Sequence, residues 1–251
     1  MPSHLQSWYA HRDQPDVVLV DGFHAVKHAL RFGADVLAVL ATDKPAAMAL
    51  AHELAPDLAG AFEILAASVE PAVFADLVPR PHPTGVAALA LRPSLDLAAL
   101  AGRDSPVVLL EDPRHLGNIG AVVRLAAGFG VAGVLTTGVT DPWHPAALRG
   151  SAGLHFATAV ARIDLGARPA GPVYVLDPDG ADIRDLSFPD DAVLAFGTER
   201  HGVSAELRAM ATQLVAIPMR PGVSSFNLAT SVAMALFHWT TRDRQRMVDS
   251  A

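Results

Sequence analysis

Cysteine is absent from this chain. That excludes a disulfide framework, a thiolate metal site and a cysteine nucleophile at once. Lysine is nearly absent too, with Lys27 and Lys44 the only two among 19 basic residues. Long apolar runs are also missing. Hydrophobic residues make up 51% of the 251 positions, but much of that is alanine, and no stretch reaches the roughly 18 residues a membrane helix needs. The first residues, MPSHLQSWYAHRDQPD, lack the cationic segment and apolar stretch of a secretory signal. A cytoplasmic protein without membrane partner or bound metal is expected. The net charge of −7 argues against a broad electrostatic grip on nucleic acid, which normally depends on clustered lysine and arginine. Arginine is nevertheless the better planar binder of phosphate, so a local arginine surface stays open.

A chain of this length accommodates two domains of about 100 to 150 residues. From Val17 apolar runs alternate with helical stretches: VVLV, FHAVKHALRFG, DVLAVLA, PAAMALAHELA, AFEILA, SVEPAVFADLV and GVAALALRP. This β/α alternation ends near Pro93. The segment SLDLAALAGRDSP changes character, which places a linker at 94–105 between a first domain at 1–93 and a second at 106–251. The second series runs PVVLLED, a helix around Asn118, GVLTTG, a helix near PAALRG, VYVLD, AVLAFG, the helix SAELRAMA, LVAIPM and a long final helix. Continuous apolar strands between helices predict an α/β fold with a mostly parallel sheet covered on both faces.

Three apparent signatures fail on context. Gly128-Phe129-Gly130-Val131-Ala132-Gly133 spells G-x-G-x-x-G, but here a helix ends on the glycines and a strand follows, the reverse of a dinucleotide site. A glycine-stopped helix end explains it. His52-Glu53-Leu54-Ala55-Pro56 breaks the zinc motif H-E-x-x-H at proline. Gly150-Ser151-Ala152-Gly153 lacks the spacing of a nucleophile elbow.

Three stretches in the second half can carry chemistry. The first is Gly117-Asn118-Ile119-Gly120-Ala121-Val122-Val123-Arg124. Asn118 is placed to cap a helix after VVLLED, and Gly117, Gly120, Ala121, Arg124 and Gly128 fall along one stripe where an opposing backbone can come close. Arg124 on that stripe is either a site residue or a side chain snorkelling to solvent. The second is Phe196-Gly197-Thr198-Glu199-Arg200-His201-Gly202-Val203-Ser204, a glycine-bounded loop after an apolar strand, with Ser204 able to cap the next helix. Such loops hold ligands in open α/β sheets, although an ordinary solvated turn has the same composition. The third is LVAIPMRPGVSSFNLATSVAMALFHW, in which Ile217-Pro218-Met219 ends a strand and Ser225-Phe226-Asn227 opens a helix. A loop with free amides beside Ile217, Met219 and Phe226 suits a flat apolar ligand such as adenine, while most of the following helix reads as buried core.

In this order and spacing the stretches resemble the three motifs of the SpoU (TrmH-like) RNA 2′-O-ribose methyltransferases of the SPOUT superfamily: N-x-G-x-x-x-R, G-x-E-x-x-G, and I-P-M followed by a Ser-hydrophobic-Asn helix start. The match spans about 106 to 240. More loosely, Gly22-Phe23-His24-Ala25-Val26 and His82-Pro83-Thr84-Gly85-Val86 resemble the ribosomal-protein-like α/β domain with which many members bind substrate RNA. The resemblance implies a trefoil-knotted second domain, a homodimer and S-adenosylmethionine as cofactor. It implies Asn118, Arg124 and Glu199 at the reaction site, and Gly197, Thr198, Ile217, Met219, Ser225, Phe226 and Asn227 around the cofactor. Leucine is usual where this chain has Phe226. The substrate would be ribosomal or transfer RNA, with ribosomal RNA slightly preferred.

The chemistry implied is attack of a ribose 2′-hydroxyl on a sulfonium methyl, which needs alignment and the removal of one proton. A guanidinium is a poor base, so Arg124 is expected to stabilise the developing alkoxide, with Asn118 and Glu199 holding its geometry. Two rivals remain open: a non-catalytic RNA-binding or assembly factor that keeps the fold, and a cofactor-using enzyme acting on small molecules.

Overall fold

Two separate sheets organise the chain in the computed structural model, which describes residues 4–198 and 201–249 and the side chains as far as 241. One compact unit comprises Met1–Ser94 with Trp143–Ala157, the other Leu95–Pro142 with Thr158–Ala251.

The first unit contains α1 (His4–His11), β1 (Val17–Asp21), α2 (Phe23–Arg31), β2 (Val36–Ala41), α3 (Lys44–Leu54), α4 (Ala59–Leu65), β3 (Ala66–Ser68), α5 (Pro71–Leu77) and β4 (Val86–Leu91). Its sheet order is β1-β4-β2-β3, antiparallel except for β2 with β3. Trp8, Leu40, Phe74 and Leu89 pack in its core. The run AFEILA, which occupies a strand position in the apolar alternation, is mostly helix α4, and only Ala66–Ser68 pairs as a strand. The reason is the burial period: Ala59 and Phe62 face inward while Ile64 is exposed. That i, i+3 spacing belongs to a helix, and Phe62 meets Phe23 of α2 with ring centroids 5.3 Å apart.

Antiparallel pairing of β1 with β4 brings the segments 22–26 and 82–86 together. The Phe23 amide donates to Thr84 Oγ1 at 3.0 Å, and the His82 amide donates to Asp21 Oδ1 at 3.1 Å. Asp21 is buried and ion-paired to Arg149, whose guanidinium also donates to the Arg80 carbonyl at 2.6 Å.

The second unit continues with β5 (Val107–Leu110), α6 (Leu116–Phe129) and β6 (Gly133–Thr136). Helix α7 (Pro145–Gly150) then joins the first unit before the chain returns as β7 (Ala159–Arg162). The remaining elements are β8 (Val173–Asp182), β9 (Val193–Phe196), α8 (Ala205–Ala209), β10 (Gln213–Ala216) and α9 (Leu228–Asp249). The six strands lie in the order β10-β8-β9-β5-β6-β7, every pair parallel. All residues of β5, β6 and β9 are buried, as their largely apolar composition requires, with Thr136 at the end of β6 the polar exception. Gly130 ends α6 in the left-handed conformation at φ 70°, so the G-x-G-x-x-G spelling is a helix stop followed by β6.

Trp143–Ala157 packs against α2 for a specific backbone reason. Ala152 and Gly153 are both left-handed, at φ 53° and 77°, and a Cβ on Gly153 would run into the Ala25 carbonyl. The His28 Nδ1 lies 2.7 Å from the Ala152 carbonyl, so this nitrogen carries the proton and donates. Burial lowers the His28 pKa below its ordinary value, with the Ala152 hydrogen bond opposing it. A depressed folded-state value means that the stabilisation is present above the unfolded value of about 6.5 and is lost as pH falls through the lower folded one. Two outcomes are expected. Gly153→Ala lowers unfolding free energy by about 2 kcal/mol or more in urea titrations, through overpacking and a disfavoured φ. The fall in thermal midpoint on acidification below about pH 6.5 is shallower in His28→Gln than in the native chain.

Candidate active site

A cleft of about 810 Å³ opens in the second unit where the loops after β5, β9 and β10 meet an out-of-register stretch within β8. Parallel strands present their carboxyl ends on one edge, so ligand-binding loops collect there. Each wall has a local physical origin.

The loop after β5 leads into α6. The helix begins at Leu116, with His115 at its N-cap and the Ile119 amide donating to the His115 carbonyl at 3.1 Å. Asn118 therefore lies inside the first turn instead of capping it. Its side chain bonds across the cleft, Oδ1 accepting from Asn227 Nδ2 at 3.2 Å. Asn227 caps α9, its Oδ1 accepting the amides of Ala229 at 2.9 Å and Thr230 at 3.4 Å. The first and third sequence stretches are thus joined side chain to side chain.

The glycine-bounded loop after β9 closes on itself. The Thr198 amide donates to the Gly202 carbonyl at 2.9 Å, and the Gly202 amide returns to the Thr198 carbonyl at 3.1 Å. Gly202 is left-handed at φ 66°, and a Cβ on Gly197 would collide with the Gly202 carbonyl and the Val203 amide. Both glycines are thus required by the turn itself. Beyond it Ser204 caps α8, its Oγ accepting the Leu207 amide at 3.1 Å. The Ser204 amide donates to Glu111 Oε2 at 2.9 Å, at the end of β5.

The fourth wall is a break in β8. Its pairing with β10 jumps from Val175↔Leu214 to Ala181↔Val215, so residues 176–180 loop out of register. Gly180 crosses against the β10 backbone, where a Cβ would strike Leu214 and Val215. The excursion carries Leu176, Asp177, Pro178 and Asp179 into the cleft. Asp177 is buried, accepts the Asp179 amide at 2.9 Å through Oδ1 and is ion-paired to Arg208 of α8 through Oδ2. Arg208 also stands 3.7 Å from Asp179 and lines the cleft.

Of the ten site residues expected from sequence, eight line this cleft: Asn118, Gly197, Thr198, Ile217, Met219, Ser225, Phe226 and Asn227. Glu199 lies outside the described residues. Arg124 is exposed on α6, does not line the cleft, and makes no hydrogen bond or ion pair to another described residue. On the stripe beside it Gly120 is buried, but nothing lies within 4 Å of a Cβ placed on Gly117 or Gly128. The close backbone approach expected along that stripe is therefore not made by this chain at those two positions. Sequence reading missed Asp177, Arg208, His115 and His201, which also line the cleft. The usable signal for Asp177 was its position directly after the apolar run VYVL.

The donor set suits a ligand with a flat apolar part. Ile217, Met219, Leu176 and a Phe226 ring that is 40% exposed offer apolar surface. The main-chain amides of Met219, Ser225 and Phe226 donate to no described residue. Free amides beside apolar side chains are what a purine edge and face need.

Comparison with known proteins fits this geometry. Residues 105–237 match the SpoU rRNA Methylase family. The chain belongs to that family. A 23S rRNA (adenosine(1067)-2′-O)-methyltransferase of Streptomyces laurentii is 33% identical over 165 residues, 60% of this chain and 58% of the relative. The chain thus spans under two thirds of that relative's length. The crystal structure of the SpoU methyltransferase AviRb from Streptomyces viridochromogenes superposes with TM-score 0.77 at 25% identity, covering 99% of each chain. The AdoMet-bound rRNA methyltransferase from Sinorhizobium meliloti gives TM-score 0.77 at 24% identity, over 93% of this chain and 90% of that one. The mixed α/β fold with its parallel sheet is the fold of these SpoU proteins.

The Asp177–Arg208 pair organises the β8 wall, and its removal leaves Arg208 only the 3.7 Å approach to Asp179 and frees the Asp179 amide. Asp177→Ala is expected to cost about 2 kcal/mol in urea unfolding, the scale of a lost hydrogen bond to a charged group. Unchanged stability would mean that the excursion holds its shape without the pair.

Proposed function

We propose that the protein is an S-adenosylmethionine-dependent RNA 2′-O-ribose methyltransferase, acting in the cytoplasm on ribosomal RNA in preference to transfer RNA. The observation that carries this reading is the gathering of eight residues from three family motifs around one cleft at the carboxyl edge of a parallel sheet. The name of the Streptomyces laurentii relative supports ribosomal RNA as the substrate class.

When bound, the cofactor supplies an electrophilic methyl group. The chain's own residues do the rest. The free amides of Met219, Ser225 and Phe226 would read the purine edge, with Phe226 and Ile217 against its faces. The turn 197–202 and the Asn118–Asn227 contact would set the position of the reacting end, to which we also assign Glu199. Segment 1–93 would be the RNA-binding module, joined by 94–105 to the methyltransferase domain at 106–251, of which Trp143–Ala157 packs into the first unit. Its mixed sheet, with segments 22–26 and 82–86 in contact, supports likeness to ribosomal-protein-like substrate domains.

We further propose a trefoil knot and a homodimer formed through α6 and α9. The uncovered glycines of α6 and the exposed Phe237 ring of α9 support an interface there. Exposed Arg124 then belongs to a site completed between two copies, where it stabilises the developing alkoxide and nearby phosphate.

The test is methyl transfer from labelled S-adenosylmethionine to separate pools of unmodified ribosomal and transfer RNA, with digestion to 2′-O-methyl nucleosides. Label in the ribosomal pool is expected. Arg124→Lys should lose at least about 90% of the rate, because an ammonium cannot reproduce the planar fork of a guanidinium; near-normal turnover would remove Arg124 from this role. Cofactor binding without transfer to either pool would favour the non-catalytic RNA-binding alternative.

A further inference from the structure

The family motifs shape the cleft, but its charge comes from the β8 excursion, which lies outside them. Among the described residues lining the cleft, Asp177, Asp179 and Arg208 are the charged ones, with His115 and His201 the other titratable ones. Two carboxylates thus face one guanidinium. Glu199, which we assign to the reacting end, lies outside the described residues.

The two carboxylates differ in commitment. The Asp177 side chain is 4% exposed and both of its oxygens are engaged, Oδ1 by the Asp179 amide at 2.9 Å and Oδ2 by the Arg208 guanidinium. One buried negative charge is matched by one positive charge. Asp179 has no such hold. Its side chain is 80% exposed, and its carboxylate has a single ion-pair contact among the described residues, a 3.7 Å approach to the guanidinium that Asp177 already occupies. No hydrogen bond forms at that separation. The wall is therefore left with one unshared negative charge, on a side chain that lines the cleft. The Asp179 main chain, by contrast, is fixed, because its amide is bonded to Asp177 and the next residue, Gly180, is pressed against the β10 backbone. Replacing the Asp179 side chain thus leaves the wall its shape.

A charge so placed acts on any ligand of the cleft according to the ligand's own charge. S-adenosylmethionine carries a sulfonium, an ammonium and a carboxylate, which sum to one positive charge. In S-adenosylhomocysteine the sulfur has kept the electron pair of its bond to the departed methyl group, so the sulfonium charge is gone and the molecule is neutral overall. Otherwise the two differ by one methyl group. The apolar side chains and main-chain amides of the cleft meet features common to both and discriminate little between them.

We propose that Asp179 is a specificity-determining residue of the cleft, its unshared carboxylate favouring the cationic cofactor over the neutral product and so the replacement of product by fresh cofactor. This inference rests on the methyl-transfer reading above. The test is calorimetric titration of the native protein, Asp179→Asn, Asp179→Glu and Glu199→Gln. The ligands are S-adenosylmethionine, S-adenosylhomocysteine and an analogue bearing an amine in place of the sulfonium methyl group, at about pH 8, above the ordinary imidazole range. The native protein should bind S-adenosylmethionine more tightly than the product, with a preference that narrows as salt rises from about 50 to 500 mM. Asp179→Asn should lose about three- to tenfold in affinity for the two cationic ligands, the scale of one unit charge acting across a solvated cleft, while its affinity for the product stays within about twofold. Asp179→Glu should retain the preference. Equal losses for all three ligands in Asp179→Asn would mean a contact to a group they share, and no loss for any of them would mean a fully screened carboxylate; either overturns the proposal. So does a preference that survives in Asp179→Asn and disappears in Glu199→Gln. A native protein that binds cofactor and product equally overturns the role of Asp179 alone, whereas one that binds none of the three ligands overturns the methyl-transfer reading itself.

Discussion

The Glu111 carboxylate, at the end of the central strand β5, accepts the amide of Ser204 at 2.9 Å, and the arrangement of the cleft depends on this tie. Strands β5 and β9 are neighbours in the sheet, yet adjacency alone positions only their last residues, not the loops beyond. The carboxylate sits behind a fully buried strand and grips the far side of the glycine-bounded turn, so that turn is held at both ends. A hydrogen bond to a charged group contributes about 1.5 to 3 kcal/mol, enough to select one loop conformation over its competitors. The Asn118–Asn227 contact does the same for the loops after β5 and β10. Two side-chain bonds thus convert loops distant in sequence into one walled site.

The interior of that site divides its labour between backbone and side chains. Apolar groups stand beside main-chain amides that donate to no described residue, whereas Asp177 and Asp179 share the single guanidinium of Arg208 along the β8 wall. This division is consistent with a chain whose net charge is −7. Affinity for a nucleic acid need not come from a uniformly basic surface when a few arginines meet phosphate in a fixed geometry. The guanidinium of Arg124 is exposed and has no partner among the described residues.

Features set by local chemistry were legible beforehand. The glycine stop of α6, the Ser204 cap of α8 and the opening of α9 after Asn227 each depend on a few neighbouring residues, and each stands where sequence put it. The parallel sheet was legible because strands buried on both faces must be apolar throughout. Asn118 was misread as a cap for a related reason. The residue type is right for capping, but Leu116 and Gly117 already adopt helix, and a polar side chain inside the first turn was free to bond across the cleft. The run AFEILA was ambiguous because short apolar segments serve helix and strand alike, and only packing of Phe62 on Phe23 decides between them.

The order of apolar runs, the punctuation by glycine, proline and asparagine, and the three motifs in the second half were sufficient to determine the fold class and the family. These are properties of short segments, repeated at suitable spacing. Sequence could not assign Trp143–Ala157 to the first unit, because that depends on a Gly153 backbone pressed against Ala25 from more than a hundred positions away. Nor could it reveal the Asp177–Arg208 wall, which requires β8 to slip out of register against β10. Contacts of this kind are settled by which backbones can approach and which buried charges find partners, conditions that exist only once the chain is assembled in three dimensions.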